Sequence, residues 1–134
     1  MKNIIQIIRA LPNLLPLKAA TENEIADAEF QLRLNFAKEY KEYLSTFGAI
    51  LADGIELTGI TKSLHRNVVA VTKQEWELNS SIPHTMYVIE NTGIDNIIIW
   101  QDSTGAIFQA SPNIPPKRIA DSLAKYIARE TLIN

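Results

Sequence analysis

The side chains in this sequence that could supply acid–base catalysis or bind a metal are two histidines and fifteen acidic residues. His65 and His84 are isolated, and neither has the spacing to a second ligand that is typical of a metal site. The chain contains no cysteine and no Gly-x-Ser-x-Gly motif, which excludes thiolate chemistry, disulfides and the serine nucleophile of that motif. The five glycines are scattered, so no phosphate-binding loop is indicated. We therefore predict no catalytic residue, no metal and no cofactor.

Paired carboxylates are the remaining route to catalysis. Asp95 and Asp102 flank one predicted strand, and Glu90 lies in the strand before it. Two carboxylates that lie close together could act as general acid and general base. However, an Asp in a turn normally hydrogen-bonds its own backbone. A non-enzymatic protein is the favoured interpretation. A small hydrolase or ligand-binding protein stays as an alternative, and it predicts a deep pocket with convergent carboxylates or His84.

The acidic residues are unevenly placed. No Lys or Arg lies between Lys73 and Lys117, although the whole chain has a net charge of only −2. Five acidic residues lie in this stretch, and they are Glu75, Glu77, Glu90, Asp95 and Asp102. They could simply solvate an exposed face. Alternatively, carboxylates without counter-charges create a field that attracts a basic partner.

Trp76 lies between two of these glutamates, so an exposed indole there would be a natural anchor for a protein partner. The alternative is that Trp76 packs back on the sheet. The candidate partner-binding residues are therefore Glu75, Trp76, Glu77, Glu90, Asp95 and Asp102. The chain has no basic stripe that could follow a phosphate backbone, so we predict a protein partner and no direct binding of nucleic acid.

Apolar residues at helical spacing predict two consecutive helices before residue 48. The first begins at Thr21, which forms a capping box with Glu24. The second covers residues 36–47 and ends at Gly48, a residue suited to a C-cap. Its apolar stripe consists of Phe36, Tyr40, Tyr43, Leu44 and Phe47. A last helix is predicted over residues 118–132.

The middle of the chain is predicted to form strands, at residues 54–60, 67–71, 86–90, 96–101 and 106–110. A second Thr-x-x-Glu box at Thr72 predicts a short helix after the second of these strands. The strand that contains Trp100 is apolar at consecutive positions, so both of its faces should be covered. Trp100 should therefore belong to the core, and Gly105 should adopt a positive φ in the following turn.

The order of the predicted elements, which is helices, then strands, then a helix, predicts an α+β fold. We expect one domain over residues 1–134, with a mostly antiparallel sheet packed by N-terminal helices and a C-terminal helix, and with one sheet face or edge left open. No run approaches the roughly 20 apolar residues of a membrane span. The first residues predict a short amphipathic helix before Pro12 instead of a secretory signal. A cytoplasmic location is expected, and the oligomeric state stays open.

Residues 36–48 resemble a motif of the SUKH superfamily, which includes the fungal Smi–Knr cell-wall regulators. That motif reads Leu-Pro-x-x-Tyr-x-x-Phe-Leu and ends near Asn-Gly. The matching positions here are Phe36, Tyr40, Tyr43, Leu44 and Gly48. Two positions depart from the motif, because Ala37 replaces the Pro and Phe47 replaces the Asn. The helix at Thr21, the paired strands after residue 86 and the last helix also look like the family, in the right order, so the resemblance runs from about residue 20 to residue 132.

The resemblance implies a binding protein. Bacterial members of the superfamily are generally immunity proteins that neutralise a cognate toxin domain, often a nuclease, in the cytoplasm. The fungal relatives act as adaptors. The expectation is therefore an immunity protein whose acidic face occupies the basic surface of a toxin, and the alternative is a cytoplasmic adaptor for a non-toxin protein. The motif residues look structural, and no catalytic residue is carried over.

Overall fold

A computed structural model describes residues 3–132, and the side chains of residues 3–129. The helices are α1 (Ile4–Arg9), α2 (Glu22–Leu32), α3 (Lys38–Phe47), α4 (Val68–Leu78) and α5 (Leu123–Leu132). The strands are β1 (Leu15–Pro16), β2 (Ile50–Ala52), β3 (Ile55–Leu57), β4 (Tyr87–Asn91), β5 (Ile98–Gln101), β6 (Ile107–Ala110) and β7 (Lys117–Ala120).

The described strands form two antiparallel sheets, one of order β1-β2-β3 and one of order β4-β5-β6-β7. This confirms the predicted α+β class and the antiparallel pairing, with two sheets in place of one. Strands β4, β5 and β6 begin within two residues of the predicted positions. Gly105 has the expected positive φ of 98° in the turn between β5 and β6.

The two predicted N-terminal helices are confirmed. At α2, the Thr21 hydroxyl accepts from the Glu24 N–H at 3.1 Å, and the Glu24 carboxylate accepts from the Thr21 N–H at 2.9 Å. These bonds hold the pKa of Glu24 below its usual value, because the carboxylate is hydrogen-bonded in its charged form. At α3, the whole predicted stripe is buried. The helix ends at Gly48, where φ is 72° and an added Cβ would lie 2.0 Å from the Lys18 carbonyl oxygen, so only glycine fits.

The tyrosine hydroxyls of α3 converge on Thr58, which follows β3 and lies next to β4. The Tyr40 hydroxyl donates to Thr58 Oγ1 at 2.9 Å, and Thr58 Oγ1 donates onward to the Val88 carbonyl at 2.8 Å. The Tyr43 hydroxyl donates to the Thr58 carbonyl at 2.7 Å. The Thr58 N–H donates to the Ile89 carbonyl at 2.9 Å. Thr58 therefore links α3 to the strand that begins the second sheet.

The two faces of the four-stranded sheet are covered differently. One face joins the main core, together with α1, α2, α3 and α5. The other face packs against α4 in a smaller cluster, which consists of Val71, Ile82, Met86, Val88, Ile98, Trp100 and Ala110. Trp100 is 1% exposed, which confirms the prediction that it is a core residue. A single helix covers this second face, so part of it stays accessible.

The predicted strand at residues 67–71 is wrong. Valines at 68, 69 and 71 favour a strand by propensity, but these residues form the first turn of α4. The Asn67 side chain accepts from the N–H groups of Val69 and Ala70 at 3.0 and 3.2 Å, and this cap starts the helix. Thr72 is consequently an interior helix residue and not a cap. Its hydroxyl accepts from the Val88 N–H of β4 at 3.0 Å.

The last predicted helix starts too early. Residues 117–120 form β7, which pairs with β6, and α5 begins only at Leu123. The Glu39 carboxylate of α3 accepts from the N–H groups of Leu123 and Ala124 at 2.6 and 2.9 Å. This long-range cap fixes where α5 begins, and no local pattern predicts it. Strands β1 and β2 were also not predicted.

Replacing Thr58 with Val tests the link between α3 and the second sheet. The change keeps the branched shape but leaves the Tyr40 hydroxyl and the Val88 carbonyl without their partner. Burial already raises the pKa of Tyr40, so its hydroxyl stays neutral and needs an acceptor. We expect the free energy of unfolding in urea to fall by about 2–6 kcal/mol, since each of the two unsatisfied buried groups costs about 1–3 kcal/mol.

Thr46→Val is the matched control, because that hydroxyl only donates to the Glu42 carbonyl of its own helix. We expect it to change stability by less than about 1 kcal/mol. Tyr40→Phe combined with Thr58→Val should be less destabilising than the sum of the two changes. Equal losses for Thr58→Val and Thr46→Val would contradict the role assigned to Thr58.

Candidate partner-binding site

A cleft of about 310 Å³ opens between the C-terminal half of α4 and the partly covered sheet face, and we name it the α4 cleft. Its floor is the sheet, through Ile98, Trp100 and Ala110. Its walls come from α4 and from the ends of neighbouring strands, through Glu75, Leu78, Asn79, Asn91, Asn96, Ser111 and Pro112. One predicted residue, Glu75, lines the cleft directly.

Two side chains of α4 and the side chain of its C-cap residue, Asn79, hold the helix over the sheet. The Thr72 hydroxyl binds the Val88 N–H, as described above. One turn later, the Trp76 indole N–H donates to the Met86 carbonyl at 3.1 Å. At the helix end, the Asn79 amide donates to the Ser111 carbonyl beyond β6 at 3.2 Å. These bonds fix the width of the α4 cleft.

Glu75 is a half-buried carboxylate without an internal partner. Among residues 3–129 no side chain or backbone donor is hydrogen-bonded or ion-paired to it. Burial raises the pKa of Glu75 above its usual value, because the charged form loses part of its hydration. A desolvated carboxylate of this kind is suited to receive a cation or a hydrogen-bond donor from another molecule.

Glu77 and Asp95 are exposed, and neither side chain lines the α4 cleft. Glu77 lies two residues after Glu75 on α4, beside Leu78, whose side chain is 64% exposed. Asp95 lies in the turn between β4 and β5, directly before Asn96, and both residues have positive φ values of 52° and 58°. The turn therefore brings a second carboxylate to the same end of the sheet as the cleft.

Trp76 packs back on the sheet, which confirms one of the two interpretations made from sequence. Its indole is half-buried against both core clusters. The imidazole of His84 stacks on it with ring centroids 4.1 Å apart. The other histidine, His65, is exposed and lies within hydrogen-bonding distance of the Ser63 hydroxyl. Neither histidine lines the α4 cleft.

Glu90 does not lie on an exposed acidic face, and that expectation is wrong. Its side chain is 6% exposed. One carboxylate oxygen accepts from the Tyr126 hydroxyl of α5 at 2.6 Å, and the other accepts from the Glu56 N–H at 2.8 Å. Glu90 thus joins α5 and β3 to β4 from inside the molecule.

Asp102 lies away from the cleft. It follows β5 directly, whereas Asp95 precedes that strand, so the strand separates the two carboxylates. The Asp102 side chain accepts from the N–H and the hydroxyl of Thr104, at 3.0 and 2.5 Å. It therefore shapes the β5–β6 turn, and no dyad of Asp95 and Asp102 forms.

The stretch that lacks Lys and Arg in the sequence has basic residues beside it in the folded chain. Strand β7 returns Lys117 and Arg118 to the edge of the four-stranded sheet, opposite Gln109 and Phe108. Arg118 is engaged by Asp121 at 2.9 Å. Lys117 lies at the strand end that lines the α4 cleft, so this end of the sheet carries a basic residue as well as acidic ones.

One nucleophile spacing is present that the sequence analysis missed. Ser122 and Lys125 are spaced as in Ser-x-x-Lys hydrolases. However, the Ser122 hydroxyl accepts from the Lys125 N–H at 3.1 Å, and the Lys125 ammonium lies 3.6 Å from Asp121. Both side chains are used at the first turn of α5.

The described part of the chain contains no group of three or more acidic or histidine side chains placed to hold a metal ion. No helix within residues 3–132 is long and apolar enough to cross a membrane. The α4 cleft combines an apolar floor with a desolvated carboxylate, which is an arrangement for binding.

Several residues of the cleft were not predicted from sequence. The asparagines at 79, 91 and 96 carry no periodic pattern and come from three separate segments. Trp100 was predicted correctly as core, but its position under the cleft depends on the pairing of β5 with its neighbours. The only local signal was the adjacent Asp95 and Asn96, which are both suited to positive φ in a turn.

Comparison with known proteins agrees with this architecture. The model of the SUKH_5 family, described as SMI1-KNR4 cell-wall, matches residues 1–132. The chain belongs to this family. The resemblance noted at α3 is thereby confirmed, and the motif residues of this SMI1-KNR4 protein are the ones that pack α3 into the core.

A solved structure of a protein from Pseudomonas syringae pv. tomato shares the fold of this SMI1-KNR4 domain, with a TM-score of 0.73 and 19% sequence identity. The match covers 93% of this chain and 96% of that one. No curated protein sequence matches the chain.

The raised pKa of Glu75 predicts a pH-dependent effect on stability. A carboxyl whose pKa is higher in the folded state favours folding when protonated and loses this contribution as pH rises through the folded pKa. At pH 7, Glu75→Gln should therefore raise the urea midpoint of unfolding, and at pH 3 the gain should vanish. Glu77→Gln is the control, because it removes the same charge from the same helix end but at an exposed position. An equal gain for both variants at pH 7 would show that burial of Glu75 is not the cause.

Proposed function

We propose that this SMI1-KNR4 protein is an immunity protein that neutralises a basic toxin domain by binding it. The proposal rests on one observation: the carboxylate of Glu75 lines an apolar cleft and is paired with no described residue of the chain. The exposed carboxylates of Glu77, on the same helix, and of Asp95, next to the cleft residue Asn96, are also without a described ion-pair partner. Family membership supports the proposal, because it is consistent with immunity or regulatory roles.

The chemistry of this surface suits a basic protein. Unpaired carboxylates steer an oppositely charged partner and accelerate its encounter. The exposed Leu78 and the apolar floor of the cleft offer the contact area that must accompany charge for stable binding. A nuclease carries cationic side chains where it grips phosphate, so carboxylates presented in that geometry would occupy its substrate site.

The inhibitor would act by occupancy and without chemistry of its own. Asp102 and Glu90 are both engaged in internal hydrogen bonds, and Glu75 has no catalytic partner in the α4 cleft. We propose a cytoplasmic location, where a toxin delivered into the cell or made by it would act.

The partner can be identified by capture from the native cell. The tagged full chain is used as bait, and bound proteins are eluted at low and then at high salt. We expect one basic protein with toxin activity, which elutes as salt rises and whose activity is abolished by an equimolar amount of the SMI1-KNR4 protein. A captured protein without toxic activity would instead favour an adaptor function.

A charge-neutralised surface tests where that partner binds. Glu75→Gln, Glu77→Gln and Asp95→Asn in one variant should slow association at low salt by about tenfold or more, because the steering field is removed. The dependence of association on salt should also become weaker.

Its matched control removes three carboxylates elsewhere, by Glu22→Gln, Asp27→Asn and Asp53→Asn. All three are exposed and lie outside the α4 cleft, so association should stay within about twofold of the original rate. If the two variants were slowed equally, net charge and not this surface would govern binding. If neither were slowed, the partner would bind at another face.

A further inference from the structure

The side of α2 that faces away from the core carries an exposed aromatic ring. Ile25, Ala28 and Leu32 are the buried residues of this helix. Phe30 lies on the opposite side at helical spacing, and its side chain is 80% exposed. Ala26, one turn earlier, is exposed as well. A single exposed apolar residue is common on protein surfaces, so the surroundings of Phe30 decide whether the ring has a role.

A shallow groove of about 620 Å³ lies beside the Phe30 ring. The residues around it are Ala26, Glu29, Phe30, Arg33, Leu34 and Asn35. Ala26 has only a methyl group, whereas Phe30 projects into solvent one turn later. A projecting side chain next to a space of similar size is the arrangement by which helices interlock. The exposed side of α2 therefore offers both a ring and a place that can receive one.

The two ends of the same helix side carry opposite charges. Glu22 is the first residue of α2, and Arg33 is its C-cap residue. Both are exposed, and neither forms an ion pair within residues 3–129. They lie about three turns and about 16 Å apart along the helix, so they do not pair with each other in one chain. We name the surface formed by Glu22, Ala26, Phe30 and Arg33 the α2 face.

The α2 face is complementary to a second copy of itself. In a dimer with a two-fold axis, the same patch of both copies forms the contact. If two α2 helices pack antiparallel with the axis midway between Ala26 and Phe30, each Phe30 ring lies over Ala26 of the other copy. The same axis brings Glu22 of each copy to within one residue of Arg33 of the other. Both charge pairs and both ring contacts then form at once, whereas parallel helices would bring like charges together.

We propose that the α2 face is the interface of a homodimer in which the two α2 helices pack antiparallel. An interface of one helix per copy is smaller than the about 1,200–2,000 Å² of standard complexes, so the dissociation constant should lie at about 10–500 μM. The inference does not rest on the proposed function, because the α2 face shares no residue with the α4 cleft. The dimer would present two such clefts.

The test is sedimentation velocity of the full chain from about 5 μM to about 1 mM. We expect the sedimenting mass to rise from that of one chain to that of two. Phe30→Ala should raise the dissociation constant by about tenfold or more, because buried aromatic anchors dominate small interfaces. Leu64→Ala is the matched control, since it truncates a side chain that is 74% exposed elsewhere, and it should change the constant by less than about twofold.

A charge exchange tests the antiparallel arrangement. Arg33→Glu and Glu22→Arg each place like charges together in both contacts of a homodimer, so each variant alone should dimerise about tenfold more weakly or less. When the two variants are mixed, both contacts of the heterodimer again join opposite charges. The mixture should therefore associate within about threefold of the unmodified chain. Urea unfolding at about 5 μM, where the chains are monomeric, shows that each variant is folded.

Three outcomes would overturn the proposal. The first is a chain that stays monomeric at about 1 mM, and the second is a dimer that Phe30→Ala and Leu64→Ala weaken equally. The third is a mixture of the two charge variants that associates no better than either variant alone. If the chain stayed monomeric and Phe30→Ala weakened binding of a captured protein, the α2 face would belong to that partner instead. None of these results bears on whether the captured protein is a toxin.

Discussion

Buried hydroxyl and amide groups that must find partners determine how the two sheets and the helices of this protein meet. Thr58 is the clearest case, since its side chain and backbone bind two tyrosines of α3 and two carbonyls of β4. Tyr40 and Tyr43 are fully buried. Their hydroxyls would therefore destabilise the fold if they had no hydrogen-bond partner. The aromatic pattern by which α3 resembles its family is thus explained by packing and hydrogen bonding.

A second polar chain extends the same constraint to α5. The Tyr87 hydroxyl donates to the Gln101 carbonyl oxygen at 2.8 Å and accepts from the Ala37 N–H at 2.9 Å. The Gln101 amide donates to the Glu39 carboxylate at 3.3 Å, and Glu39 in turn caps the start of α5. Because these groups lie on four different elements, the main core tolerates one arrangement of helices around the sheet.

The elements predicted from sequence were those with a local cause. The stripe and the C-cap glycine of α3, and the capping box of α2, need only residues within the same helix. The start of α4 was wrong because Asn67 outweighs the strand propensity of the valines that follow. Strand β7 could not be predicted, since Lys117 and Arg118 become strand residues only by pairing with β6. For the site, every acidic residue was expected to be exposed. Glu90 is buried instead, because the hydroxyl of Tyr126, far away in the sequence, donates a hydrogen bond to its carboxylate.

The contrast between the two faces of the four-stranded sheet bears on function. On the core face the buried side chains with polar atoms, Tyr87, Gln101 and Glu90, have hydrogen-bond partners within the chain. On the face beneath α4, the Trp100 indole N–H lacks an acceptor and the Glu75 carboxylate is desolvated without a counter-charge. A half-buried carboxylate without a counter-charge adds nothing to the stability of the fold that a neutral side chain would not supply, because its charged form loses hydration. Such a group at the wall of a cleft is typical of a binding site, where another molecule supplies the missing partner.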